Sequence, residues 1–145
     1  MGHENKDKWL GENSLRDHPN AIIARRLWEA ASKGDGESLV SLLSPEVTWR
    51  SYGSGDLAGL FEGPEGVIDF LARAGERVER MVLRVVDIFA SDRGAVIHYV
   101  MEASQGPKFL ESQVILLIRI EDGLIVEVFT VPTLADEAKA FWRLQ

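Results

Sequence analysis

The hydrophobic period of this chain changes once, near residue 80, and that switch limits the folds open to it. Before the switch, apolar residues recur at helical spacing. Ile22, Ile23, Leu27 and Ala30 define one face of a helix expected over Asn20–Lys33, with His18 or Asn20 near its cap and Gly34 stopping it. Asp35 then caps a short helix through Leu43. A third helix is expected over Pro64–Arg77, burying Val67, Ile68, Phe70 and Leu71. After the switch, Met81–Ala90, Ala95–Ala103, Phe109–Ile120 and Leu124–Val131 read as strands joined by short turns such as Glu121-Asp122-Gly123. Turns this short imply antiparallel neighbours. Thr133–Arg143 reads as a closing helix. Helices first and a run of strands after is the pattern of an α+β fold.

The 145 residues suit one domain with a continuous core, expected over 18–145, after a polar leader over 1–17. The net charge of −7 argues against non-specific binding to nucleic acid or anionic membranes, both of which need a basic patch. With no cysteine there is no disulfide, thiolate nucleophile or cysteine-ligated zinc. Three scattered histidines without paired spacing do not make a metal site. No apolar run approaches the roughly 18 residues that span a bilayer. The N-terminal stretch is too polar for a signal peptide, so the expected location is cytoplasmic.

The segment Val47–Ala74 carries the best hint of a binding site. A β-rich run, Val47–Tyr52, passes through a loop with glycines at 53, 55, 59 and 63 into an amphipathic helix. A strand led through an open loop into a helix commonly forms the rim of a pocket. The strand Val114-Ile115-Leu116-Leu117-Ile118 is apolar at every position, although an antiparallel strand with one wet face alternates. Both of its faces must be covered. Helices cover one; the other is covered either by more of the same chain or, the expectation here, by a second copy packed sheet against sheet.

Leu27–Asp35, Val47-Thr48-Trp49, Leu60-Phe61-Glu62-Gly63 and Glu121–Phe129, in this order and spacing, resemble the nuclear transport factor 2-like superfamily in its SnoaL-like and ketosteroid-isomerase-like branch. The resemblance runs from about residue 18 to the end. It implies a cone-shaped fold, a curved antiparallel sheet wrapped on N-terminal helices around a pocket (a cystatin-like α+β roll), usually in a homodimer. Fold alone does not settle function. In the isomerases a carboxylate base follows the first strand, where this chain has Arg50. The oxyanion is held by a tyrosine and a protonated aspartic acid, matched here by Leu27 and Leu116. SnoaL-type cyclases carry an aspartate where Thr130 stands. The base and donors these mechanisms need are replaced. The epoxide-hydrolase Asp-Arg-Asp set cannot be assembled.

With the isomerase-like register, the concave face receives Thr48 and Arg50; Val96, His98, Val100 and Glu102; Ser112, Val114, Leu116 and Ile118; and Val126, Val128 and Thr130. The opposite face receives Trp49, Ile97, Tyr99, Met101, Gln113 and Phe129. A slip of one residue exchanges the sets. The expected catalytic or anchoring pair is Arg50, a fixed cation for an anionic group, and His98, an acid–base near neutral pH. The alternative is that Arg50 pairs with a carboxylate such as Glu102 and His98 makes buried hydrogen bonds. The expected substrate-binding set is Tyr52, Glu102, Ser112, Leu116, Val128, Thr130, Leu27 and Phe70. The expected ligand is a small apolar organic molecule, bound or acted on by isomerisation, cyclisation or hydrolysis without cofactor or metal. The competing reading is a non-catalytic binding or protein-interaction module on the same fold.

Overall fold

The computed structural model describes residues 18–52, 57–76 and 79–132. The leader and the closing helix lie outside this range. Helices α1 (Pro19–Lys33) and α2 (Gly36–Leu42) lead into strand β1 (Leu43–Ser51). Strand β2 (Gly59–Glu62) runs into helix α3 (Gly63–Glu76). Strands β3 (Arg80–Ser91), β4 (Gly94–Gln105), β5 (Lys108–Glu121) and β6 (Leu124–Pro132) complete the chain. The six strands form one sheet in the order β2-β1-β6-β5-β4-β3.

Local chemistry sets the helix ends. His18 Nδ1 accepts the Asn20 backbone N–H at 3.1 Å and caps α1. Its Nε2 is left to donate to Asp92 Oδ1 at 3.2 Å, and Asn20 Nδ2 donates to the Ser91 carbonyl at 2.8 Å. The first turn of α1 is thereby tied to the β3–β4 turn. At the other end Gly34 takes the left-handed conformation (φ 67°), which favours glycine. Asp35 caps α2 by accepting the Ser38 N–H and hydroxyl. Those two hydrogen bonds hold its carboxyl below the usual range, so its role is that of a cap.

The β3–β6 meander is antiparallel throughout, as the short turns require. Two features were not legible in the sequence. β1 pairs with β6 in parallel, Trp49 opposite Val128, so the sheet is mixed rather than wholly antiparallel. Gly59–Glu62, expected within the glycine loop, forms an edge strand on β1. Its backbone groups find partners there instead of standing exposed before α3.

All three helices pack on one face of the sheet. Leu27 of α1 and Val67 and Phe70 of α3 are buried among Val47 and Trp49 of β1, Ile97 and Tyr99 of β4, Val114, Leu116 and Ile118 of β5, and Val128 of β6. The expected burial of α3 holds: Val67 and Phe70 are buried, and Ile68 and Leu71 pack against the same cluster. The opposite face carries Phe89, Leu117 and Val131, which are 53%, 48% and 40% exposed.

Gly94 opens β4 against β5, opposite Arg119, and a Cβ added there would overlap the Ile118 carbonyl oxygen. Both clashing atoms are backbone or backbone-anchored, so relief requires the strands to separate. Gly94→Ala should therefore cost about 1–3 kcal/mol, read as a lower urea midpoint at unchanged slope. An unchanged midpoint would show that the β4–β5 spacing is softer than drawn.

Candidate functional site

A hollow of about 390 Å³ lies between the sheet and the helices. α1 contributes Leu27 and Trp28, α3 contributes Phe70 and Leu71, and the sheet contributes Trp49, Tyr99, Met101, Leu116 and Thr130. No aspartate, glutamate, lysine, arginine or histidine is among the described residues that line it. Its polar side chains are the hydroxyls of Ser32, Ser51, Tyr52, Tyr99 and Thr130 and the indoles of Trp28 and Trp49.

The aromatic walls are fixed by contacts with one another. The Trp28 and Tyr99 rings lie 4.8 Å apart at 59°, joining α1 to β4 in the tilted geometry that aromatic quadrupoles favour. Trp49 meets Phe70 at 6.0 Å, and Phe70 stacks on Phe61 at 4.4 Å. The Arg73 guanidinium lies over the Phe61 ring at 5.7 Å. Trp49 Nε1 donates to Thr130 Oγ1 at 2.7 Å, a short bond between neighbouring strands β1 and β6.

The expected lining is met in part. Leu27, Phe70, Leu116 and Thr130 line the hollow, and Tyr52 stands at its rim, half exposed and stacked on Phe129. Val128 and Ser112 are buried on the same side of the sheet without lining the hollow. Arg50, His98 and Glu102 do not face it. Trp49 and Ser51 flank Arg50 on β1 and point inward, and Tyr99 and Met101 do the same around His98 and Glu102 on β4. Arg50 is exposed on the outer face. His98 Nε2 lies 2.7 Å from Gln113 Oε1 on that face. His98 therefore hydrogen-bonds away from the hollow, as the alternative has it, but on the exposed face rather than in the interior.

The error is one residue of phase in β1 and β4. Its physical cause is charge. The odd-numbered positions of β4, Ala95 to Ala103, are uncharged, whereas the even set includes His98 and Glu102. Burying Arg50 or Glu102 against the helices would strand a charge in an apolar interior. That signal was present in the alternation, and it would also have found Trp49, Tyr99 and Met101, the lining residues the isomerase-like register put outside.

Tyr99 is 8% exposed, and burial pushes its pKa above the ordinary value of 10. The neutral phenol is the favoured form, so the unfolded chain releases this proton first as pH rises. Stability present below about pH 10 is then lost above it. The stability of wild type relative to Tyr99→Phe, taken from urea melts, should be level around neutral pH and fall above about pH 10 by up to about 1.4 kcal/mol per pH unit. A difference that stays level to pH ~11 would mean that water reaches the phenol.

Among the described residues no helix is long and apolar enough to cross a membrane. Residues 24–128 match the model of the SnoaL-like domain. The uncharacterized protein Rv0034 of Mycobacterium tuberculosis is 25% identical over 130 residues, covering 88% of this chain and 99% of its own. A protein of unknown function with a cystatin-like fold from Xanthomonas campestris superposes with a TM-score of 0.77 at 29% identity, covering 85% of this chain and 97% of that one. Bal32a, from a soil-derived mobile gene cassette, superposes with a TM-score of 0.80 at 22% identity, covering 86% of this chain and 97% of that one. With the family model matched over most of the described fold, the chain belongs to the SnoaL-like family.

Proposed function

We propose that this protein binds a small, mostly apolar organic molecule in the hollow between sheet and helices, without a cofactor. The observation that carries this reading is the lining itself, aromatic and aliphatic walls with hydroxyls and indoles as their polar groups. Pockets of this size and composition suit compact organic ligands. Isomerisation or cyclisation needs a group that takes up and returns a proton near neutral pH. The described lining offers none, and the side chains expected to do so, Arg50, His98 and Glu102, face away. Binding without turnover is therefore favoured over catalysis.

Naphthalene, added to the purified protein, should raise its melting temperature. Ala74→Trp, at a half-buried lining position on α3, should narrow the hollow and weaken binding at least about tenfold, whereas Arg50→Ala and His98→Gln should bind as wild type does. If naphthalene gives no shift, or if Arg50→Ala abolishes it, this assignment of the site is wrong.

A second copy of the chain on the outer face of the sheet is part of the same reading. What supports it is the apolar surface left there by Phe89, Leu117 and Val131, beside a groove of about 460 Å³ whose lining includes Val96, Leu117 and Phe129. Phe89 and Leu117 both line that groove, and exposed apolar patches rimmed by polar residues mark association sites. Light scattering should give about twice the chain mass, and Leu117→Lys should reduce it to that of one chain. A clean wild-type monomer would remove the dimer.

A further inference from the structure

We infer that charge sets the register in which a second copy packs on the outer face of the sheet: Arg50 of each copy pairs with the Glu102 and Glu111 carboxylates of the other, so that a two-fold arrangement makes the contact twice. The inference rests on the dimer reading above and adds the groups that decide how the copies meet.

The outer face has an apolar middle between unlike charges. Phe89, Val96, Leu117 and Phe129 stand opposite one another on β3, β4, β5 and β6. Arg50 ends that row on β1, opposite Phe129. Glu102 and Glu111 stand opposite one another on β4 and β5, at a level about 20 Å along β5 from Leu117.

Like charges placed directly opposite destabilise a strand pair, and no described residue at ion-pair distance relieves this one. Arg80 and Arg84 flank Val82, the neighbour of Glu102 on β3, but neither closes an ion pair with it. Arg50 is exposed and also lacks an ion pair among the described residues, although Glu62 lies diagonal to it on β2. Two strand spacings across the sheet and about 20 Å along it separate Arg50 from Glu111, so these groups cannot meet within one chain. Arg119, by contrast, is committed within the chain to Glu121 at 2.9 Å and Glu127 at 3.7 Å.

Two-fold symmetry restricts how such a face meets its copy. In an isologous contact a residue on the axis faces itself. An axis through Glu102 and Glu111 would gather four carboxylates, and one through Arg50 would oppose two guanidiniums. The apolar middle around Leu117 tolerates the axis. An axis lying across it exchanges the two ends of the face and lays the cation of each copy against the anions of the other. Arginine suits the part, because its fork of donors serves two neighbouring carboxylates. Stacked sheets lie about 10 Å apart, a gap that arginine and glutamate side chains bridge together. A face that carries both halves of the pattern is complementary to itself, which favours a second copy over an unrelated partner.

Charge reversal tests the register by sedimentation equilibrium. Arg50→Glu and the double variant Glu102→Arg/Glu111→Arg, each alone, should dimerise at least about tenfold more weakly than wild type, since each opposes like charges twice. Mixed in equal amounts, the two should form a heterodimer of about wild-type strength, because both contacts then join unlike charges; native mass spectrometry identifies it by mass. Raising NaCl from about 0.05 M to about 1 M should weaken the wild-type dimer at least about threefold, a reading that requires no variant to fold. A variant that dimerises alone as wild type does, a mixture that stays as single chains with native circular dichroism, or a wild-type dimer that salt leaves unchanged or strengthens overturns the charge register while the dimer stands. A wild-type chain that is monomeric overturns both readings.

Discussion

The parallel seam between β1 and β6 is the contact on which the site depends. Four antiparallel strands joined by tight turns would form a meander with an open edge at β6. β1 returns along that edge and brings β2 and α3 with it, so α3 lies over β1 beside α1, which lies over β3 and β4 on the same face. Trp49 holds the seam. It pairs with Val128 in register, its indole donates to Thr130, and its ring meets Phe70 of α3. One side chain thus links two strands and a helix across the wall of the hollow.

The hollow's chemistry follows from which side of the sheet the helices cover. Every inward position must tolerate contact with Leu27, Trp28, Phe70 or Leu71, and charge does not. Arginine, histidine and glutamate on β1 and β4 are driven outward together, where His98 meets Gln113 and Arg50 meets solvent. Among the described residues, what lines the hollow can donate and accept hydrogen bonds but not exchange protons near neutral pH. The loss of acid–base groups at the positions matching the isomerases and cyclases is therefore matched by the rest of the described lining.

Much of this was legible from residues alone. The helical spacing of Ile22 to Ala30 and the Gly34-Asp35 punctuation fix α1 and α2 to within a residue or two. The turns at Asp92, Gly106 and Gly123 fix the meander. The apolar run Val114–Ile118 carries the expectation that both faces of β5 avoid water; in the single chain Val114, Leu116 and Ile118 are buried, and Leu117 on the outer face is 48% exposed. In β5 and β6, Leu116 and Thr130 were placed on the correct side. In β1 and β4 the phase was borrowed from a remote relative rather than read from charge, and a one-residue error reversed the whole set.

The sequence by itself determined the element types, their order, the antiparallel pairing of β3 to β6 and the absence of thiol chemistry, because period, turn residues and composition are local properties. Only the tertiary structure decided that β1 lies parallel to β6, that Gly59–Glu62 forms an edge strand, and that Trp49, Tyr99 and Thr130 share one cavity wall. The parallel seam depends on contacts between residues about 80 positions apart, such as Trp49 with Thr130. Alternation gives each strand two faces and leaves the choice between them to whatever packs against it.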